Sequence, residues 1–216
     1  MTLPGTIEPA TPFVPGFDSD TPITASLAGQ FYASGYKFCF RYLTRGSESF
    51  QDLSTQEATG ILNSGLALMP VQHVRNPGWS PSANLGEADG ENAASNAQEV
   101  GFPPGINVWC DVEGVISTAT PQDVIDYCQA WYGAVYNAGY VPGLYVGSRA
   151  QLSGEQLYQL SFQHYWKSQS NVPEIPHRGY QLIQLFPSIT AHGIAIDVDV
   201  TQPDNAGGQA QWLRLG

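Results

Sequence analysis

Val108-Trp109-Cys110-Asp111-Val112-Glu113-Gly114 reads as a buried strand that ends in two acids. Asp111 and Glu113 stand two apart, so on a strand both side chains point to one face, with Cα atoms roughly 6.5–7 Å apart. Ionised carboxylates that close repel unless one is protonated or both meet a cation. Strand packing asks for no such pair. Gly114 stops the strand, so the acids lie at its C-terminal end, where parallel α/β sheets and barrels build their sites.

The units on either side repeat one punctuation. Gly35-Tyr36, Gly65-Leu66, Gly101-Phe102 and Gly139-Tyr140 each close a helix and start a strand, at the spacing of a β/α unit. Helices are expected over Ala25–Ser34, from a capping box at Ser54-Thr55-Gln56-Glu57, over an Ala-rich run ending at Gly101, from Thr120-Pro121-Gln122-Asp123, and from Ser153. Asn76–Glu91 is polar and Gly-rich and reads as a loop leading into the Ala-rich helix. Strands are expected at Phe13–Asp18, after Tyr36, at Leu66–Val74, through Asp111, at Tyr140–Val146, His164–Lys167, Tyr180–Phe186 and Gly193–Val200. Only Ser170–Gly179 and Pro187–His192 separate the last three. Parallel neighbours need a crossover of about a dozen residues. The strand at 180–186 is therefore expected antiparallel to 164–167, and 193–200 antiparallel to 180–186. The predicted architecture is a single α/β domain: a TIM-like barrel of five β/α units followed by three strands, over residues 13–216, preceded by an extended Pro- and Thr-rich arm at 1–12.

Bulk chemistry narrows the function. The chain has 216 residues, 42% of them hydrophobic, a net charge of −11 and a pI near 4.5. Only 8 Lys and Arg are present, which argues against a nucleic-acid partner. No apolar run reaches transmembrane length, so membrane insertion is not expected. No signal peptide is visible at the N-terminus. Cys39, Cys110 and Cys128 fall inside apolar patterns and read as buried free thiols. The sequence carries no sign of oligomeric state.

On the predicted topology five acids share one rim: Asp18, Asp111, Glu113, Asp197 and Asp199. Asp after a strand is common as a turn former, but the Asp111/Glu113 pair lacks that explanation. An acid-lined rim suits glycoside hydrolysis, in which one carboxyl protonates the leaving oxygen and another handles the cationic sugar. It also suits oxygen coordination of Mg²⁺ or Ca²⁺. Basic phosphate clamps are scarce, with Arg41, Arg75 and Lys167 the nearest. No His cluster marks a zinc site, His73 reading as a hydrogen-bonded rim residue. No metal and no cofactor are expected. Tyr42, Trp79, Tyr145, Trp166 and Phe186 lie near strand ends and are candidate sugar platforms.

From about Val14 to Gln202 the sequence resembles the Rv2525c-like, glycoside-hydrolase-like domain of unknown function found in actinobacteria and their phages, related in fold to the family 25 lysozymes. The resemblance rests on Gly16-Phe17-Asp18, Trp109-Cys110-Asp111-Val112-Glu113, Gly143-Leu144-Tyr145-Val146-Gly147, Gln181–Gln184 and Gly193–Asp199. It implies the same five-plus-three barrel. It implies Glu113 as general acid, Asp111 as the carboxylate supporting a substrate acetamido group or the developing cation, and Asp18 and Asp197 as flanking acids. Asp199 stands where the lysozymes usually carry Asn, and Ile183-Gln184-Leu185 replaces their Trp-Gln-Tyr. Asp199, Tyr42, His73, Tyr145, Trp166 and Gln184 are the expected substrate contacts. The expected function is a retaining, substrate-assisted glycosidase acting on an N-acetylated, peptidoglycan-like glycan, outside the cell or at its envelope. A carbohydrate-binding or structural barrel without turnover, and a metal-dependent hydrolase, are the alternatives.

Overall fold

A computed structural model of the chain describes residues 2–45, 51–73 and 75–216. Val74, the expected end of one strand, and Met1 of the arm lie outside the described residues. Eight strands close into a barrel: β2 (Pro15–Ser19), β3 (Phe38–Leu43), β4 (Ala67–Gln72), β5 (Asn107–Val112), β6 (Val141–Val146), β7 (His164–Lys167), β8 (Leu182–Ala191) and β9 (Ile194–Thr201). Helices α1 (Ala25–Ala33), α2 (Thr55–Asn63), α3 (Ala83–Val100), α4 (Pro121–Asn137) and α5 (Gly154–Gln159) follow β2 to β6 in turn. This is the five-plus-three barrel. The four glycines at 35, 65, 101 and 139 all have positive φ, between 91° and 107°, where a Cβ would be strained. Thr120 with Asp123, and Ser153 with Gln156, form complete capping boxes.

Alternation along the strands creates two cores. Val108, Cys110 and Val112 of β5 face the helices, together with Phe17, Cys39 and Leu144. Trp109 faces the barrel axis with Phe38, Phe40, Trp166 and Trp212. The bulk fits because small residues stand opposite. A Cβ on Gly16 would come within 2.4 Å of the Phe38 ring, and one on Gly143 within 2.5 Å of the Trp109 ring. Asp111 continues the inward row one layer above Trp109. All three cysteines are free and buried.

Four features depart from expectation. First, β8 runs parallel to β7, with Trp166 opposite Leu182. The segment between them makes the crossover without a helix, stiffened by buried Val172 and Ile175 and by the Tyr180 hydroxyl donating to the Pro173 carbonyl. Strand β9 is consequently antiparallel to both β8 and β2. It starts at the rim and descends, so Asp197 lies level with Asp18 and Asp199 lies two residues deeper, opposite Gly16.

Second, α3 begins at Ala83, capped by Ser82, inside the stretch read as a loop. Its glycines are helical because α4 crosses against them. A Cβ on Gly86 would meet the Tyr127 carbonyl oxygen at 2.1 Å, and one on Gly90 the Trp131 carbonyl oxygen at 2.7 Å. Third, β1 (Thr6–Pro9) in the arm pairs antiparallel with an unexpected strand, β10 (Gln211–Arg214). Strands β4 and β5 meet at a single residue pair, Val71 with Trp109. β10 fills the gap below: Leu213 pairs with Leu68, and the Gln211 N–H donates to Asn107 Oδ1 at 2.6 Å.

Fourth, Ser54 caps α2, but Glu57 does not complete a capping box. Its carboxylate takes Arg41 Nε at 2.6 Å and the Ile23 N–H at 2.7 Å. Arg41 is wholly buried and also donates to the carbonyls of Ser19 and Gln51. Removing one partner of such a pair strands a charge in the core. Glu57→Ala should therefore cost about 3–5 kcal/mol, read as a lower urea midpoint.

Candidate active site

The C-terminal ends of the parallel strands surround a pocket of about 270 Å³, lined by Asp20, Tyr42, His73, Asp111, Glu113, Tyr145, Gln169, Ser170, Gln184 and Asp197. Two larger hollows are present: one of about 560 Å³ against α3 and α4, and one of about 530 Å³ between α2, α3 and the end of β3. Size does not single out the site; the concentration of carboxyl groups does.

Gln184, the third residue of β8, organises the floor. Its Oε1 accepts from the Tyr145 hydroxyl at 3.0 Å and the Gln169 N–H at 3.3 Å. The amide nitrogen is thereby aimed at acids, donating to Asp18 Oδ2 at 2.7 Å and Asp197 Oδ2 at 3.4 Å. Asp18 sits just beneath the pocket wall, its other oxygen accepting from Tyr42 at 3.1 Å. The Tyr42 ring stacks on His73, centroids 4.7 Å apart, and His73 Nε2 lies 3.2 Å from Asp52. Tyr145 packs edge-on against Trp166.

Glu113 occupies the turn after β5. The Trp79 indole N–H donates to its carbonyl at 2.7 Å, and the Ser148 backbone N–H donates to its carboxylate. Its side chain lies over Gly147, where an added Cβ would stand 2.4 Å from Glu113 Cβ. Asp111 is buried below, at 8% exposure, and its Oδ1 has no hydrogen-bond partner.

Burial raises every shifted carboxyl here. It pushes Asp18 from 3.8 up to about 7, with the charge of Asp197 adding and the Gln184 bond opposing. Asp111 is raised well above the usual range by burial, then by Glu113 and Asp18. Asp199 is raised likewise by burial and by Asp18. The half-buried Glu113 is raised by burial and by Asp197. The cations near these strand ends are engaged: Arg41 with Glu57, Arg75 with Asp89, Lys167 with Glu174, and Arg45 donates to the His73 carbonyl at 3.4 Å. Among the described residues no three His, Cys, Asp or Glu side chains are placed to hold a metal ion.

Asp111, Glu113, Asp197, Tyr42, His73, Tyr145 and Gln184 thus meet at one pocket, with Asp18 immediately below. Two expected substrate contacts do not reach it. Trp166 is 1% exposed and stacks flat on Phe40, and its indole N–H donates to Asp199 at 2.9 Å. Asp199 is fully buried. The descent of β9 places Asp199 under the floor, where Trp166 of β7 meets it. Gln169 and Ser170, in the crossover before β8, line the pocket unannounced; nothing in their Pro-rich surroundings marks them.

A family model described as "Rv2525c-like, glycoside hydrolase-like domain" matches residues 29–205. The chain belongs to this family. Its match in solved structures includes the Mycobacterium tuberculosis Tat-secreted protein Rv2525c in complex with L-tartrate, at 16% identity and TM-score 0.68, covering 91% of this chain and 98% of that one. The Rv2525c-like domain also shares its fold with a muramidase from Trichobolus zukalii (18%, TM-score 0.61, 88% and 93% covered). A lysozyme from Streptomyces coelicolor is similar too (16%, TM-score 0.60, 91% and 95%). A comparison with curated proteins gives no match. Among the described residues no helix of the Rv2525c-like domain is long and apolar enough to cross a membrane.

The raised acids make stability depend on pH. A carboxyl whose folded pKa exceeds its unfolded value contributes fully below the unfolded value and loses that contribution as pH rises toward the folded one. Asp18, Asp111, Asp199 and Glu113 act in this sense. His73 and His164, lowered by burial, act oppositely below about pH 6.5. Four groups outweigh two, and the opposition ends above 6.5. Thermal unfolding from pH 4.5 to 8 should show Tm falling by several degrees, most steeply in the upper half.

Proposed function

We propose that this protein is a glycosidase that cleaves an N-acetylated glycan, peptidoglycan or a related envelope polymer, with Glu113 as general acid. The supporting observation is the contrast between the two acids of β5. Glu113 is half-buried at the open edge of the pocket, and its environment favours the protonated form. Asp111 lies deeper, in the same pocket, with one oxygen lacking any donor. Two carboxyl groups in different environments are the signature of divided roles.

In the proposed reaction Glu113 gives its proton to the glycosidic oxygen as the bond from that oxygen to C1 breaks. The carbonyl oxygen of the substrate's 2-acetamido group closes on C1. Asp111 Oδ1 accepts the acetamido N–H and orients the group as the ring forms, while the Glu113 carboxylate left by proton transfer balances the charge. Glu113, now a carboxylate, takes a proton from water as that water opens the ring, which restores the acid and retains configuration. Asp18 and Asp197, held by Gln184, flank the place where the cationic transition state forms. Tyr42, His73 and Tyr145 contact the sugar from the walls. Asp199 and Trp166 lie below the floor and touch no substrate. The likeness to a Tat-secreted protein and to muramidases supports an extracellular or envelope location and a cell-wall substrate.

Turnover should be assayed on cell-wall and chitin-type oligosaccharides over a pH series. Glu113→Gln keeps shape but delivers no proton, and should lower turnover by about 10²–10⁴-fold with little change in affinity. Asp111→Asn should lose most on substrates bearing the acetamido group. Wild-type protein that binds these glycans without cleaving them at any pH would make the chain a binding barrel. Activity lost to a chelator and restored by Mg²⁺ or Ca²⁺ would make it a metal-dependent hydrolase.

Gly147 supplies an independent check. Its Cβ-free surface is what lets Glu113 lie where it does. Gly147→Ala should displace the acid and lower kcat at least about tenfold, as ångström-scale misplacement does, while KM and Tm change much less.

A further inference from the structure

Asp199 is the deepest acid of the group and the one the proposed reaction does not touch. It is 0% exposed. Its Oδ1 accepts the Trp166 indole N–H at 2.9 Å. Its Oδ2 is buried and accepts no hydrogen bond among the described residues. The groups around it come from every neighbouring strand: Asp18 on β2, Tyr145 on β6, Trp166 on β7, Gln184 on β8 and Asp197 on β9. None is a cation. Asp18 and Asp199 are diagonal neighbours across the β2–β9 pairing, and their side chains lie in hydrogen-bonding contact on the inward face. A hydrogen bond between two carboxyl groups needs one proton. The partners of Asp18 show which side carries it, because Tyr42 and Gln184 both donate to Asp18. Asp18 is therefore the acceptor, and the remaining donor in the contact is Asp199.

We propose that Asp199 is a proton-bearing positioning residue: it stays a neutral carboxylic acid, donates to Asp18, and fixes Asp18 as the acceptor under the pocket. This closes the hydrogen-bond account of the floor. Asp18 receives three donors, from Tyr42, Gln184 and Asp199. A second negative charge in a fully buried layer is avoided. Burial and the charge of Asp18 both act in this direction on Asp199. The assignment of the proton stands on the floor's geometry; its value to turnover rests on the glycosidase reading above.

The test compares the full-length wild type with Asp199→Asn and Asp199→Leu. Asn reproduces the proposed pattern without a titrating group, since its carbonyl serves Trp166 and its amide serves Asp18. Infrared difference spectra at neutral pH should show the C=O stretch of a protonated buried acid in the wild type and its loss in Asp199→Asn. The Tm advantage of Asp199→Asn should be absent near pH 4 and should widen as pH rises, because only the wild type carries a raised carboxyl at this position. In turnover, Asn should retain about tenfold more activity than Leu, the worth of one hydrogen bond to a charged group. No acid band lost from the Asn spectrum, or a Tm difference independent of pH, would overturn the proposal even in an active enzyme. If Leu does not fold, the spectrum and the pH series of the Asn variant decide. If the wild type turns over nothing, the glycosidase reading falls and the same two measurements still decide where the proton sits.

Discussion

A carboxyl group withdrawn from water without a cation must keep its proton or find donors. The upper layer of this barrel is shaped by that constraint. Its acids face inward because the alternate residues of the same strands are needed outside, under the helices. Once inside, they are reconciled by neutral groups. Gln184 spans Asp18 and Asp197, Tyr42 completes Asp18, and Trp166 serves Asp199. The cations that could have neutralised them are used to fasten the scaffold: Arg41 locks α2 to β2 and β3, and Arg75 joins α3 through Asp89.

This arrangement separates two duties that acids perform in one small volume. Lower down, burial is complete and the groups set charge and position. At the mouth, burial is partial and Glu113 and Asp197 line the pocket. The separation depends on depth along the barrel axis, and depth is set by strand register. Asp18 lies level with Asp197, and Asp199 lies level with Gly16, the residue whose missing side chain also makes room for Phe38.

Much of this was legible in the sequence, and the exceptions have physical causes. The β/α units were readable because helix ends demand glycine at positive φ, and because the Asp111/Glu113 pair has no packing rationale. The direction of β8 was not readable from loop length, since a helix-free segment held by Val172, Ile175 and Tyr180 can cross over as a helix would. With β8 reversed, the depth of Asp199 and the role of Trp166 changed together. The start of α3 was hidden because Gly86 and Gly90, which look like loop residues, are there to admit the α4 backbone. Strand β10 was hidden because four residues cannot show a period, and its pairing with Thr6–Pro9 is a contact between distant parts of the chain.

The long reach of these contacts has a bearing on how the protein comes into being during synthesis. Asp18 is made early, while its neighbours Gln184, Asp197 and Asp199 are added some 170 residues later, and β10, which seals the gap between β4 and β5, comes later still. Contacts of such separation form slowly and last. A nascent chain carrying β2 to β7 has Glu113 and Asp111 in hand but no floor to the pocket. The pocket as described is therefore absent on the ribosome and forms only once the final strands have joined the first.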